Sequence, residues 1–227
     1  MIEASEFIKE LIDDIDYSIV GEFNASDGKT YFCNTKWARV GKTIVDSLGD
    51  IFIITEVKTD VYIVAVHIDN EAKNLDKLCF LDAPYFKTGT KLATNREWTI
   101  ADPDLENKLP LVWLLEVISE TGYGRGSALD RSIEVKLFFL DETDPSQYYT
   151  KEHREQVVKP MQKLMMEFFK VVDKNRMYEA VENYRYKTFS RFGVEQENGV
   201  FENILDANLS GVALELTLTR YKINCKC

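Results

Sequence analysis

Three groups of residues in this chain have the types and spacing that chemistry needs. The first is Asp50-Ile-Phe-Ile-Ile-Thr-Glu56-Val-Lys58. An acid at a strand start followed by Glu-x-Lys has the shape of a metal-dependent nuclease core. In such a core two carboxylates hold Mg²⁺ and the lysine assists the attacking water. Period-two geometry puts Asp50, Glu56 and Lys58 on one face of an extended strand. The same Glu-x-Lys is also ordinary solvated hairpin sequence, here turning at Thr59-Asp60, and motifs this short recur by chance. The second group is Gly122, Tyr123, Gly124, Arg125 and Gly126. It is neither G-x-G-x-x-G nor a Walker sequence, and an apolar strand pattern follows it where a phosphate cradle needs a helix N-terminus. A loop tip whose tyrosine and arginine touch a neighbour is the better reading.

The third group is the cysteines and histidines. Cys33, Cys79, Cys225 and Cys227 lack the paired spacing of structural zinc, so free thiols are expected. His67 lies in an apolar run and reads as a strand or core residue; His153 falls in the first turn of a helix and reads as solvated. No serine or cysteine stands in a recognisable nucleophile setting. No catalytic, metal or cofactor site is assigned.

Composition bounds what these residues can serve. The chain has 227 residues, 45% hydrophobic and 29% charged, within the range of ordinary globular proteins. Lysine and arginine total 28 against 38 acids, a formal charge of −10. That field argues against tight binding to a phosphate backbone. The start, MIEASEFIKELIDDID, is acidic and amphipathic, without the basic and apolar regions of a secretory leader. No apolar run approaches the roughly 18–20 residues that span a bilayer.

The elements that must position these residues follow from periodicity. Phe7, Ile8, Leu11, Ile12 and Ile15 share one stripe, which predicts an N-terminal amphipathic helix. Tyr17–Phe23 and Thr30–Cys33 read as strands about the turn Ala25-Ser26-Asp27-Gly28. Asp50–Val57 and Val61–Ile68 read as an isoleucine- and valine-rich hairpin. Residues 69–108 look irregular, with short extended pieces. Two apolar runs, Leu109–Ile118 and Ile133–Leu140, flank a long connector, Ser119–Arg131, whose GYGRG tip reaches outward. Val157, Met161, Leu164, Met165, Phe168, Phe169 and Val172 then recur at three and four, which predicts a long helix with Thr150 as its N-cap. Pro160 should kink or restart it, and the Met161, Met165, Phe168 and Phe169 stripe reads as core. Tyr186–Val194 is strand-like, 195–210 reads as a polar loop, and Val212–Ile223 closes the fold. The sum is α+β: one domain over 1–227, a mainly antiparallel sheet flanked by an N-terminal and one long helix, with arm insertions around 69–108 and 119–131.

A succession of pieces carries a family resemblance: Pro84-Tyr85-Phe86, Gly89-Thr90, Leu109-Pro110-Leu111-Val112-Trp113-Leu114-Leu115-Glu116, Phe138-Phe139-Leu140-Asp141-Glu142-Thr143-Asp144, Tyr149-Thr150-Lys151-Glu152-His153, Val158-Lys159-Pro160-Met161 and the closing VALELTLTRYKINCKC. Together they resemble neck and tail proteins of phages infecting Bacteroidetes, including crAss-like phages. The likeness is one of pattern over about residues 84–227. It implies a tail-terminator-like fold with extended hairpin arms, and a structural subunit of the head-to-tail connector or tail ring in the virion, assembled in the host cytoplasm. It further implies a homo-oligomeric ring, six- or twelve-fold, between portal, ring or tail proteins, with genomic DNA passing its lumen without specific binding and no membrane involved. It brings no catalytic residue and no cofactor. An acidic lumen would repel the DNA backbone and keep it mobile.

Overall fold

A computed structural model describes residues 4–90, 94, 108–115, 119–123, 130–144, 146, 148–179, 184–192, 194–197, 200–203 and 208–220. The first element, α1 (Ala4–Asp13), buries Phe7, Ile8, Leu11 and Ile12, the stripe its spacing predicts. Six strands follow: β1 (Ser18–Asn24), β2 (Lys29–Phe32), β3 (Thr43–Asp46), β4 (Ile51–Lys58), β5 (Tyr62–His67) and β6 (Leu78–Leu81). They do not join one open sheet. They close into a separate antiparallel barrel in the order β1-β2-β5-β4-β3-β6. The two strands that complete closure, TIVD and LCFL, are four residues each, too short for alternation to separate them from loop.

The barrel interior is filled by one or two side chains from each strand: Ile19, Phe32, Ile44, Phe52, Ile54, Ile63, Cys79 and Leu81, all buried. It is narrow enough that a Cβ on Gly21 would lie 2.5 Å from the Phe32 ring, so glycine leaves that volume to the aromatic. Asp46 is also buried, and its Oδ1 accepts from the backbone of Leu48 at 2.9 Å and of Asp50 at 3.0 Å, which shapes the β3–β4 turn.

The rest of the chain builds an open sheet. Its strands are β7 (Tyr85–Gly89), β8 (Leu111–Leu115), β9 (Ser119–Tyr123), β10 (Asp130–Glu142), β11 (Tyr184–Phe189) and, after the small hairpin of β12 (Val194–Glu197) and β13 (Val200–Asn203), β14 (Leu209–Arg220). The order is β11-β14-β10-β8-β7, with β9 pairing beside β10; only the β7–β8 pair is parallel. Its spine is β10 against β14, in unbroken register from Arg131↔Arg220 to Glu142↔Leu209. The described residues of 119–131, expected as a long connector, are paired strand: Ser119 lies opposite Glu134 and Tyr123 opposite Asp130. The polar stretch after 195, expected as loop, contains the β12–β13 hairpin.

Helix α2 crosses one face of this sheet. It is α-helical over Lys151–His153, widens to a π-turn over Arg154–Val158, and is α-helical again over Lys159–Lys174. Thr150 caps it, its Oγ1 accepting from the His153 backbone at 3.0 Å. The π-turn explains how Pro160 is tolerated. A proline inside a helix lacks an N–H and crowds the carbonyl four residues back, which here is Gln156 in the widened turn. Met161, Leu164, Met165, Phe168 and Val172 are buried against Val112, Leu114, Leu137, Phe139, Val212 and Leu214, and the same cluster continues through α1 into the barrel interior. A smaller cluster of Leu111, Trp113, Phe138, Leu140 and Phe192 packs on the opposite sheet face.

Candidate functional site

The structure does not bring Asp50, Glu56 and Lys58 together. A β-bulge falls between Ile54 and Glu56, so Thr55 is an extra residue against β5. The bulge resets the parity of the strand. Phe52 and Ile54 point into the barrel, Val57 packs against the core, and Glu56 and Lys58 turn outward to solvent. Asp50 lies six residues back, about 20 Å along an extended strand, whereas ligands of one cation sit within a few ångströms of each other. Asp50 pairs with Lys73 at 2.8 Å, with His67 Nε2 at 3.7 Å; the lysine hydrogen bond pulls its carboxyl below the usual range. Glu56 accepts from the Tyr62 hydroxyl. His67 is buried and edge-on to Phe52, a core residue as expected. Among the described residues no three His, Cys, Asp or Glu side chains gather as a metal site.

Gly122 and Tyr123 end β9 and pair with Arg131 and Asp130; Gly124, Arg125 and Gly126 lie outside the described residues. Cys33 is exposed and Cys79 buried, both as free thiols. Burial pushes the Cys79 thiol up to about 12, so it is no nucleophile at neutral pH. Cys225 and Cys227 lie outside the described residues.

Two polar constellations were not foreseen. At the seam between barrel and sheet, Arg39 Nε lies 2.7 Å from Oδ2 of Asp141, and Arg39 Nη1 donates to the Glu142 carbonyl at 2.7 Å. Lys42 Nζ stands 3.9 Å from the same carboxylate. Burial raises the Asp141 carboxyl, and the two cations oppose that rise. Beside them opens a cleft of about 390 Å³ lined by Arg39, Lys42, Thr43, Asp82 and Glu142. Asp82 accepts from Thr43 Oγ1 at 2.9 Å and is itself raised by burial. Arg39 and Lys42, ahead of β3, are both held to the carboxylate of Asp141 on β10, which makes them a latch between barrel and sheet.

The second constellation corrects the expectation for His153, which is buried, not solvated. Its Nε2 is 2.9 Å from Ser210 Oγ and 3.3 Å from Thr143 Oγ1. Ser210 gives its one proton to the Ser190 carbonyl at 2.8 Å, so Nε2 carries the hydrogen and donates. Nδ1 is then bare, and it is buried without a hydrogen-bond partner. A histidine donating to serine is the reverse of a general base, and Ser210 is fully buried. This network holds the start of α2 to β14.

Among the described residues the surface also exposes apolar side chains in two places. On the outer wall of the barrel Ile53 faces Val66 across the β4–β5 ladder, and Ile51 lies beside Ile68, whose backbone it accepts from at 3.0 Å. All four are exposed, between 40% and 49%, and Leu48 at the tip of the β3–β4 turn is 78% exposed. The signal was present in IFII and YIVAVHI, which are apolar on both faces, the pattern of strands covered on both sides. On the open sheet, edge strand β11 exposes Tyr184 and Tyr186, their rings stacked at 6.4 Å.

No protein-family model and no curated protein matches this chain. Among the described residues no helix is long and apolar enough to cross a membrane.

Proposed function

We propose that this protein is a structural subunit that acts by assembling with copies of itself into a ring, as in a phage head-to-tail connector or tail ring. The observation that carries the reading is the exposed aliphatic wall of Ile51, Ile53, Val66, Ile68 and Leu48. Contiguous apolar surface of a few hundred Å² is as large as any on a typical monomer and is often functional, a protein contact being its ordinary use. The resemblance of residues 84–227 to phage neck and tail proteins supplies the kind of assembly. A closed ring needs two unlike complementary surfaces per subunit, and the barrel wall and the β11 edge belong to different sheets. DNA would pass through the lumen, and the formal charge of −10 favours a passage to which the phosphate backbone does not adhere.

The test is electron microscopy of the purified protein together with its mass in solution by light scattering. Closed rings of uniform diameter and an integral multiple of the chain mass are expected. A protein that remains a monomer at the highest soluble concentration overturns the reading.

A further inference from the structure

We infer that the aliphatic barrel wall is the docking surface for the β11 edge of a second copy of this chain. The inference rests on the assembly reading above and names the two surfaces that meet. The wall is a square of β-branched side chains, Ile51 and Ile53 on β4 beside Val66 on β5 and Ile68 directly after it, with Leu48 extending it at the barrel end. Acids flank it, Asp50 just before β4 and Asp69 and Glu71 after β5, three carboxylates that share the single cation of Lys73 through Asp50 and Glu71. Residues 1–82 hold 16 of the 38 acids but 8 of the 28 bases, so most of the net negative charge lies in this part of the chain. A partner for this wall therefore has an apolar centre and a basic flank.

This chain carries such a surface on β11. Its sequence, YRYKTF, has two cations and no acid. Tyr184 and Tyr186 project to one side, half-exposed and stacked, with Phe169 4.6 Å behind the Tyr184 ring to hold it in place. Arg185 and Lys187 project to the other, around the single carboxylate of Glu215, which Lys136 already pairs at 2.7 Å. The outer edge of β11 pairs with no described strand. Tyrosine and arginine are the side chains that anchor interfaces. The apolar wall is on the order of 400 Å², about half of what one partner buries in a stable interface, so the charged rim must contribute as well. Contact between wall and edge is heterologous and propagates from copy to copy, which an isologous wall-to-wall contact does not.

The experiment uses the full chain and sedimentation velocity. One variant breaks the wall, Ile53→Lys, with Val66→Thr as a milder, still β-branched alternative should the first not fold. A second breaks the edge, Arg185→Glu with Lys187→Glu, with Tyr186→Ser as its alternative. Circular dichroism confirms that each is folded. The wild type is expected to assemble and each variant alone to be monomeric. An equimolar mixture of the two is expected to form a one-to-one dimer, because one intact wall and one intact edge remain. Raising the salt should weaken that dimer at least tenfold. If the wild type assembles but a folded variant of either surface assembles equally well, or the mixture stays monomeric, the docking pair is overturned while the ring reading stands. If the wild type itself is monomeric, both fall.

Discussion

His153 is where one proton decides an interaction. With Nε2 donating to Ser210 and Nδ1 bare and buried, protonation would place a charge where nothing accepts from it. Burial accordingly lowers its pKa from the ordinary 6.5. The sign follows by linkage. As pH falls through 6.5 the unfolded chain takes up the proton before the folded one, so stability is complete above 6.5 and is lost progressively below it. Carboxylates held low titrate in a different window. Burial works against Asp16, but its bonds to Ser18 and Lys36 prevail and bring it to about 2. Urea midpoints should therefore fall between pH 7.5 and 5.5 for the wild type and change less in His153→Gln, whose amide can still donate to Ser210. Equal pH slopes for the two proteins would refute this account. At neutral pH His153→Ala should cost about 1–3 kcal/mol, the penalty for stranding buried hydroxyls.

At the scale of elements, the bulge at Thr55 keeps the barrel apolar inside. Without it, the period of two that places Phe52 and Ile54 inward would carry Glu56 and Lys58 inward as well. Deleting Thr55 leaves Ile54 opposite Ala65 and Glu56 opposite Val64 as consecutive pairs, with Glu56 and Lys58 still outward, so the shortened strand should melt cooperatively and lose no more than about 2 kcal/mol. Thr55→Ala removes only a side-chain bond to the Val64 carbonyl at 3.2 Å and should stay within about 1 kcal/mol. A deletion that no longer melts cooperatively would show that the bend and twist of the bulge, and not only the face it sets, are needed to close the barrel. The contrast shows what could be read in advance. The helices, the β4–β5 hairpin and the 109–141 hairpin were legible because their apolar periods are long, and the four-residue β2 because the turn residues Ala25-Ser26-Asp27-Gly28 mark the hairpin it belongs to. Barrel closure was not, since Leu78–Leu81 closes it by pairing on both sides with strands distant in sequence, Ser18–Asn24 and Thr43–Asp46. The grouping of Asp50 with Glu56 and Lys58 failed for a physical reason: a shared strand face says nothing about distance along the strand, and one inserted residue reverses the face. His153 and Ser210 lie 57 residues apart, a meeting that no local pattern encodes.

For the whole molecule the question is what makes barrel and sheet one body. One hydrophobic cluster runs from the barrel interior through α1 and α2 to the sheet. Among the described residues, three polar latches cross the same seam. Asn34 Nδ2 donates to Glu167 at 3.4 Å, Lys163 pairs with Asp60, and Arg39 with Asp141. The last is the most consequential, because Asp141 is only 2% exposed and Lys42, at 3.9 Å, is too far to replace the guanidinium. Removing one partner of a buried pair is far more costly than removing both. Arg39→Met should therefore lose about 3–5 kcal/mol, while Arg39→Met with Asp141→Asn should recover more than half of it. Calorimetry adds a second readout. The wild type should melt in one transition whose van't Hoff and calorimetric enthalpies agree, as expected of a cooperative unit. In Arg39→Met the ratio should fall below one as barrel and sheet begin to melt separately. A double variant no more stable than Arg39→Met would show that the charge left behind is solvated, and that the shared hydrophobic cluster alone holds barrel and sheet together.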